Sequence, residues 1–132
     1  MRPAVAESEL HVSGVTIDAA DPRGLAAWWA DVLGWHVDGH RCVAPDAAQP
    51  RLEFMPVAEP KRVKNRVHLD LGTDDVAATV ERLVERGATV AWEEDFGPSS
   101  VYRNVVLRDP EGNEFCVGGR TDATPPTAET PR

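Results

Sequence analysis

The chain has 132 residues, of which 42% are apolar, and a formal net charge of -8. That length supports about one domain with a core that needs no disulfide or metal staple. So acidic a surface repels phosphate backbones and anionic lipid, which argues against nucleic acid and membrane surfaces as partners.

In chain order, Met1 to Ser8 is polar, and no apolar leader core or membrane-length apolar run follows. Cys42 and Cys116 stand alone, without a CxxC spacing. They are expected to be reduced thiols of a cytoplasmic protein, with a pairing between them left open. A strand is predicted over Val12 to Asp18, with Val15 and Ile17 on one face and Gly14, Thr16 and Asp18 on the other. Asp21-Pro22 then opens a helix as cap and first turn. Its stripe is Leu25, Trp28, Trp29, Val32 and Leu33, and Gly34 ends it. Short strands are predicted at Trp35 to Val37, Arg41 to Ala44 and Arg51 to Val57.

After a basic stretch, Lys61 to Arg66, the pattern starts again. A strand is predicted over Arg66 to Leu71, with Arg66, His68 and Asp70 on one face and Val67, Leu69 and Leu71 on the other. Asp75 caps a second helix with the stripe Val76, Val80, Leu83 and Val84, and Gly87 closes it. Strands follow at Thr89 to Glu93, Tyr102 to Leu107 and Glu114 to Gly118. The last two are joined by Asp109-Pro110-Glu111-Gly112-Asn113, where Pro fixes φ and Gly and Asn suit positive φ. Thr121 to Arg132 carries no apolar residue larger than Ala and is expected to be a disordered tail.

The chain thus repeats one order, strand, helix, strand, strand, strand. The implied fold is α+β: two βαβββ modules, over about 10–57 and 66–119, joined by a crossover at 58–65. Together they form a single domain over 1–120, a cupped, incompletely closed eight-stranded mixed sheet with helices outside. Three of its motifs are Asp21-Pro22 before a Trp-rich helix ending Leu33-Gly34, KNRVHLDL at 64–71, and DPEGNEF at 109–115. In this order they resemble the glyoxalase-like branch of the vicinal oxygen chelate superfamily, which includes glyoxalase, bleomycin-resistance and extradiol dioxygenase proteins. The resemblance covers roughly Val12 to Gly119. It implies a small organic ligand in the cup, a homodimer, and either catalysis or binding.

The resemblance also implies four metal-ligand slots, on the first and last strand of each module. Counting from the cap and turn aspartates, and by the repeat, these are Gly14, Met55, His68 and Cys116. Only His68 is a usual donor for a catalytic ion, so the expected protein is a metal-independent small-molecule binder or catalyst with no cofactor. The alternative is a divalent metal (Zn, Fe, Mn or Ni) held by His68 with Glu53 and Glu114, serving a lyase, isomerase or dioxygenase. His68 shares its face with two other polar residues, which marks a polar pocket. Asp70 is placed to orient its imidazole, the pair acting as a general base. Arg66, Trp35, Trp92, Met55 and Cys116 are the candidate ligand contacts, the two tryptophans standing just after the two helices. Phe96, in the Glu94 to Ser100 loop, is a candidate lid.

Overall fold

The computed structural model describes residues 9–46 and 48–121. The predicted polar N-terminus and, apart from Thr121, the predicted tail lie outside them. The chain divides into two compact units between Pro60 and Lys61. The first contains β1 (Gly14–Ala19), α1 (Pro22–Leu33), β2 (His36–Asp38), β3 (Arg41–Val43) and β4 (Arg51–Pro56). The second contains β5 (Asp70–Gly72), α2 (Val76–Glu85), β6 (Thr89–Glu94), β7 (Tyr102–Arg108) and β8 (Glu114–Arg120). Both follow the expected βαβββ order. Each builds a four-stranded mixed sheet, ordered β1-β4-β3-β2 and β5-β8-β7-β6, in which the first strand runs parallel to the last.

The helices form where their caps allow. The Asp21 carboxylate accepts the Gly24 N–H at 3.1 Å, and Gly34 ends α1 at φ 70°. α1 packs on the first sheet and buries Leu25, Ala26, Trp29, Ala30 and Val32. Trp28 is half-buried, its ring edge-on to Trp29 with centroids 5.1 Å apart. In α2, Asp75 caps the Ala78 N–H at 3.0 Å, and Val76 and Leu83 are buried. Val84, at the edge of the predicted stripe, is exposed.

Two local predictions change. The strand predicted over Arg66 to Leu71 begins only at Asp70, and Val67 is exposed instead of packed. β5 lies at the end of the sheet order and pairs there with β8. Ahead of it the Asn65 N–H goes to the Glu114 side chain, so 61–65 is held by a carboxylate and not by a strand ladder. In the 109–113 hairpin only Gly112 takes a positive φ, 89°. Asn113 instead donates its side-chain amide to the buried Asp109, which also accepts the N–H groups of Glu111 and Asn113.

In the second unit the core lies between α2 and one sheet face. The ladder pairs Val105 with Val117 and Leu107 with Phe115, and all four are buried. Replacing Leu83, 1% exposed in α2, by Ala should therefore cost about 2–5 kcal/mol in chemical denaturation. Val67→Ala should stay within about 0.5 kcal/mol.

Candidate functional site

The opposite face of the second sheet collects the chemistry. Residues paired across a ladder share a face. β5 pairs Asp70 with Cys116, and β7–β8 pair Val106 with Cys116 and Asn104 with Gly118. β6–β7 pair Trp92 with Val106 and Glu94 with Asn104. His68 lies two residues before Asp70. This face lines a concave pocket of about 340 Å³, walled by Trp92, Phe96, Tyr102 and Val106 and bearing His68, Asp70, Glu94, Asn104 and Cys116.

A β-bulge decides the place of Trp92. Between Val90 and Trp92 the strand advances two residues while its partner advances one, from Leu107 to Val106. The extra residue, Ala91, reverses the alternation, so Val90 is level with core-facing Leu107 and Trp92 with pocket-facing Val106. Two further aromatics complete the wall. Phe96 meets Tyr102 edge-on with centroids 5.4 Å apart. Tyr102 and Asn104 lie across Gly118, where a Cβ would collide with the Tyr102 hydroxyl and the Asn104 amide oxygen.

At the polar centre, His68 Nδ1 is 3.0 Å from Asp70 Oδ1 and 3.6 Å from Cys116 Sγ. Both neighbours meet the same ring nitrogen. A relay from carboxylate through imidazole to thiol needs one partner on each nitrogen, so this trio is not a nucleophile triad. With Nδ1–H donated to Asp70, the neutral ring holds its lone pair on Nε2. Burial pushes the Cys116 thiol up; a hydrogen bond from Asn104 draws it back, but Asp70 and Glu94 raise it further. It stays a protonated thiol at neutral pH.

Glu114 also lines this pocket, is 5% exposed, and braces the fold. It meets Lys61 at 2.9 Å, Arg108 at 3.4 Å and the Asn65 N–H at 2.8 Å. Burial opposes its charge, but the Asn65 N–H and Lys61 outweigh burial and hold its carboxyl at about 2. The segment 61–65 is thereby latched to β8, and Lys64 places its ammonium 5.9 Å from the centre of the Trp92 ring.

The remaining predicted residues lie elsewhere. Arg66 is exposed at a bend and does not line the pocket. Trp35, Glu53 and Met55 belong to the first unit. Trp35 is half-buried after α1. Within the first unit, Met55 helps line a concavity of about 310 Å³ with Asp21, Arg23, His40 and Phe54. Glu53 is ringed by His40 at 3.5 Å, Arg41 at 3.3 Å and Arg51 at 3.4 Å. Burial raises its pKa, but the Arg51 hydrogen bond and the three neighbouring charges lower it below the ordinary value. Cys42 and Cys116 are both free and buried, and burial raises Cys42 to about 11.

The register also revises the repeat count. Asp18 pairs with Met55 as Asp70 pairs with Cys116. The residue of β1 level with His68 is therefore Thr16, two before Asp18, and not Gly14. The turn from Asp70 to the cap Asp75 is two residues longer than that from Asp18 to Asp21, which misleads a count from the caps. Thr16 and Met55 offer a hydroxyl and a thioether, a poor set for the hard or borderline ion that the resemblance implies. Glu53 and Glu114 are charge-matched by neighbouring cations. Among the described residues, the donors that converge are His68, Asp70 and Cys116, whose ligand atoms lie within 4.8 Å of one another. One nitrogen, one oxygen and one sulfur would suit a borderline ion such as Zn, not an oxygen-preferring one.

The latch has an acid signature. A carboxyl lowered from 4.5 to about 2 in the folded chain stabilises it fully above about pH 4.5 and loses that contribution as pH falls toward 2. Glu114→Gln should cost on the order of 2–3 kcal/mol at pH 7 and flatten the unfolding free energy between pH 4.5 and 2, read by denaturant titration.

Residues 14–118 match the family model described as a glyoxalase-like domain. No curated protein matches the chain. Among solved structures, a glyoxalase/bleomycin resistance protein/dioxygenase family enzyme from Burkholderia phytofirmans PsJN is 18% identical, with a TM-score of 0.62 over 83% of this chain and 98% of that one. The oxidase ChaP-H1 is 22% identical, with a TM-score of 0.60 over 84% and 96%. TnmS3, an antibiotic binding protein from Streptomyces sp. CB03234, is 24% identical, with a TM-score of 0.59 over 90% and 99%. At these identities the neighbours share the fold, and they include both a binding protein and an oxidase. With four-fifths of its length matched and the βαβββ repeat in place, the chain belongs to the glyoxalase-like domain family.

Proposed function

We propose that the protein binds a flat, small organic molecule in the pocket of its second unit and does so without a metal, either sequestering it or acting on it with His68 as base. The observation that carries this reading is the pocket itself, where three aromatic rings flank a His68–Asp70 pair with Nδ1 3.0 Å from the carboxylate. Aromatic walls offer stacking area, and a few convergent polar groups fix orientation. The antibiotic-binding neighbour, TnmS3, supports a binding role on the same fold. His68 and Asp70 are then the candidate base and its orienting carboxylate, with Trp92 and Cys116 as ligand contacts. Arg66, Trp35 and Met55 remain candidate ligand contacts.

The test is a titration with quinoline and acridine at pH 7.5, followed by tryptophan fluorescence. Saturable quenching should occur and should weaken at least tenfold in Trp92→Leu. Quenching that is unchanged in that variant, or no binding at all, overturns the reading.

One observation favours a second reading, a divalent metal used for lyase, isomerase or dioxygenase chemistry. It is the convergence of His68, Asp70 and Cys116. The wider set of His68 with Glu53 and Glu114 has less support, since both glutamates are matched by neighbouring cations. Metal analysis of protein purified without chelator separates the readings. The metal-free reading expects less than about one ion per ten chains. One tightly held ion per chain, lost in His68→Ala, would establish the second.

The chain is further proposed to work in the cytoplasm as a homodimer. No described helix is long and apolar enough to cross a membrane, and the described cysteines are free thiols. Exposed Leu10, Val12, Val63 and Val67 leave apolar surface for a second copy to cover. Light scattering at micromolar concentration should give twice the chain mass; a monomeric mass counts against pairing.

A further inference from the structure

We infer that the second-unit pocket selects a flat ligand bearing a positive charge, and that this charge takes the place now held by the Lys64 ammonium over Trp92. The inference rests on the binding reading above and adds the ligand's charge to it.

Three observations carry it. First, a cation already sits on the aromatic wall, with Lys64 Nζ 5.9 Å from the centre of the Trp92 ring. A cation at that range is attracted by the negative face of the ring. Lys64 is exposed and comes from the latched segment, so its ammonium can leave for water on a flexible stem. Second, the carboxylates around that place are not all matched by cations. Glu114 has Lys61 and Arg108, whereas Asp70 faces the His68 ring, a neutral partner in the tautomer described above. Glu94 accepts the Trp92 indole N–H at 3.1 Å, a neutral donor that leaves its charge in place. The same bond fixes the indole with Glu94 at its edge. Third, the carboxylates extend from that wall to the polar centre, since Glu94 and Asp70 line the same pocket as Trp92.

A neutral ligand must compete with Lys64 for the Trp92 face using stacking alone. A cationic ligand reproduces the contact that it displaces and adds attraction to Glu94 and Asp70. An anionic ligand meets both carboxylates and loses. The net charge of -8 further raises the local concentration of cations.

The experiment compares three probes of one shape: N-methylquinolinium, quinoline and quinoline-6-carboxylate, by calorimetric titration at pH 7.5 and low salt. The cation should bind about tenfold more tightly than quinoline, and the anion more weakly than either. Glu94→Gln keeps an acceptor for the indole N–H and removes the charge, and it should erase most of the cation's advantage over quinoline. Lys64→Gln removes the resident ammonium and should tighten N-methylquinolinium several-fold. Quinoline binding as well as the cation, or a cation advantage that survives Glu94→Gln, overturns the inference while the binding reading stands. If none of the three probes binds, both fall together.

Discussion

Everything in the second unit depends on the two-residue alternation of its ladder. Adjacent strands pair residue for residue, so a side chain's face follows from the register. One face gives Val105, Leu107, Phe115 and Val117 to the core beneath α2. The other face, by the same pairing, receives Asp70, Glu94, Asn104, Val106 and Cys116. The site is the complement of the core. A one-residue slip would exchange them and bury carboxylates beneath the helix, which is why this register is strongly held.

Two departures from the regular ladder make that face useful. The bulge at Ala91 turns Trp92 to the polar side, where its ring forms a wall and its N–H meets Glu94. The latch at Glu114 replaces strand pairing over 61–65 with ionic and hydrogen bonds, which carries Lys64 to the Trp92 ring. A buried carboxylate is costly unless its partners are supplied, and here Lys61, Arg108 and the Asn65 N–H supply them. Glu114 therefore both lines the pocket and braces the segment beside it.

The His68 trio shows how geometry narrows chemistry. Histidine, aspartate and cysteine side by side invite a nucleophile reading. Contact of both neighbours with Nδ1, together with a thiol that burial and two carboxylates keep protonated, argues against that reading. The first unit repeats the architecture and the aspartate but not the histidine or the cysteine, since Thr16, Asp18 and Met55 stand where His68, Asp70 and Cys116 stand in the second.

The amino-acid sequence by itself determined the α+β class, the repeated βαβββ order, both capped helices, and His68, Asp70, Trp92 and Cys116 as residues to watch. These follow from local rules: caps at Asp21 and Asp75, helical stripes, and alternation within single strands. It also suggested Glu114 as a metal ligand, because a glutamate near a ligand slot looks the same whether or not cations surround it. Only the tertiary structure supplied those cations, from residues 53 and 6 positions away. Only it revealed the bulge, which needs two strands to exist, and showed Thr16 in place of Gly14 level with His68, because turn length shifts the count from each cap. Lys64 was brought to Trp92 from a distant segment and Tyr102 to Phe96 across the β6–β7 connection, and no periodicity within one strand records such contacts.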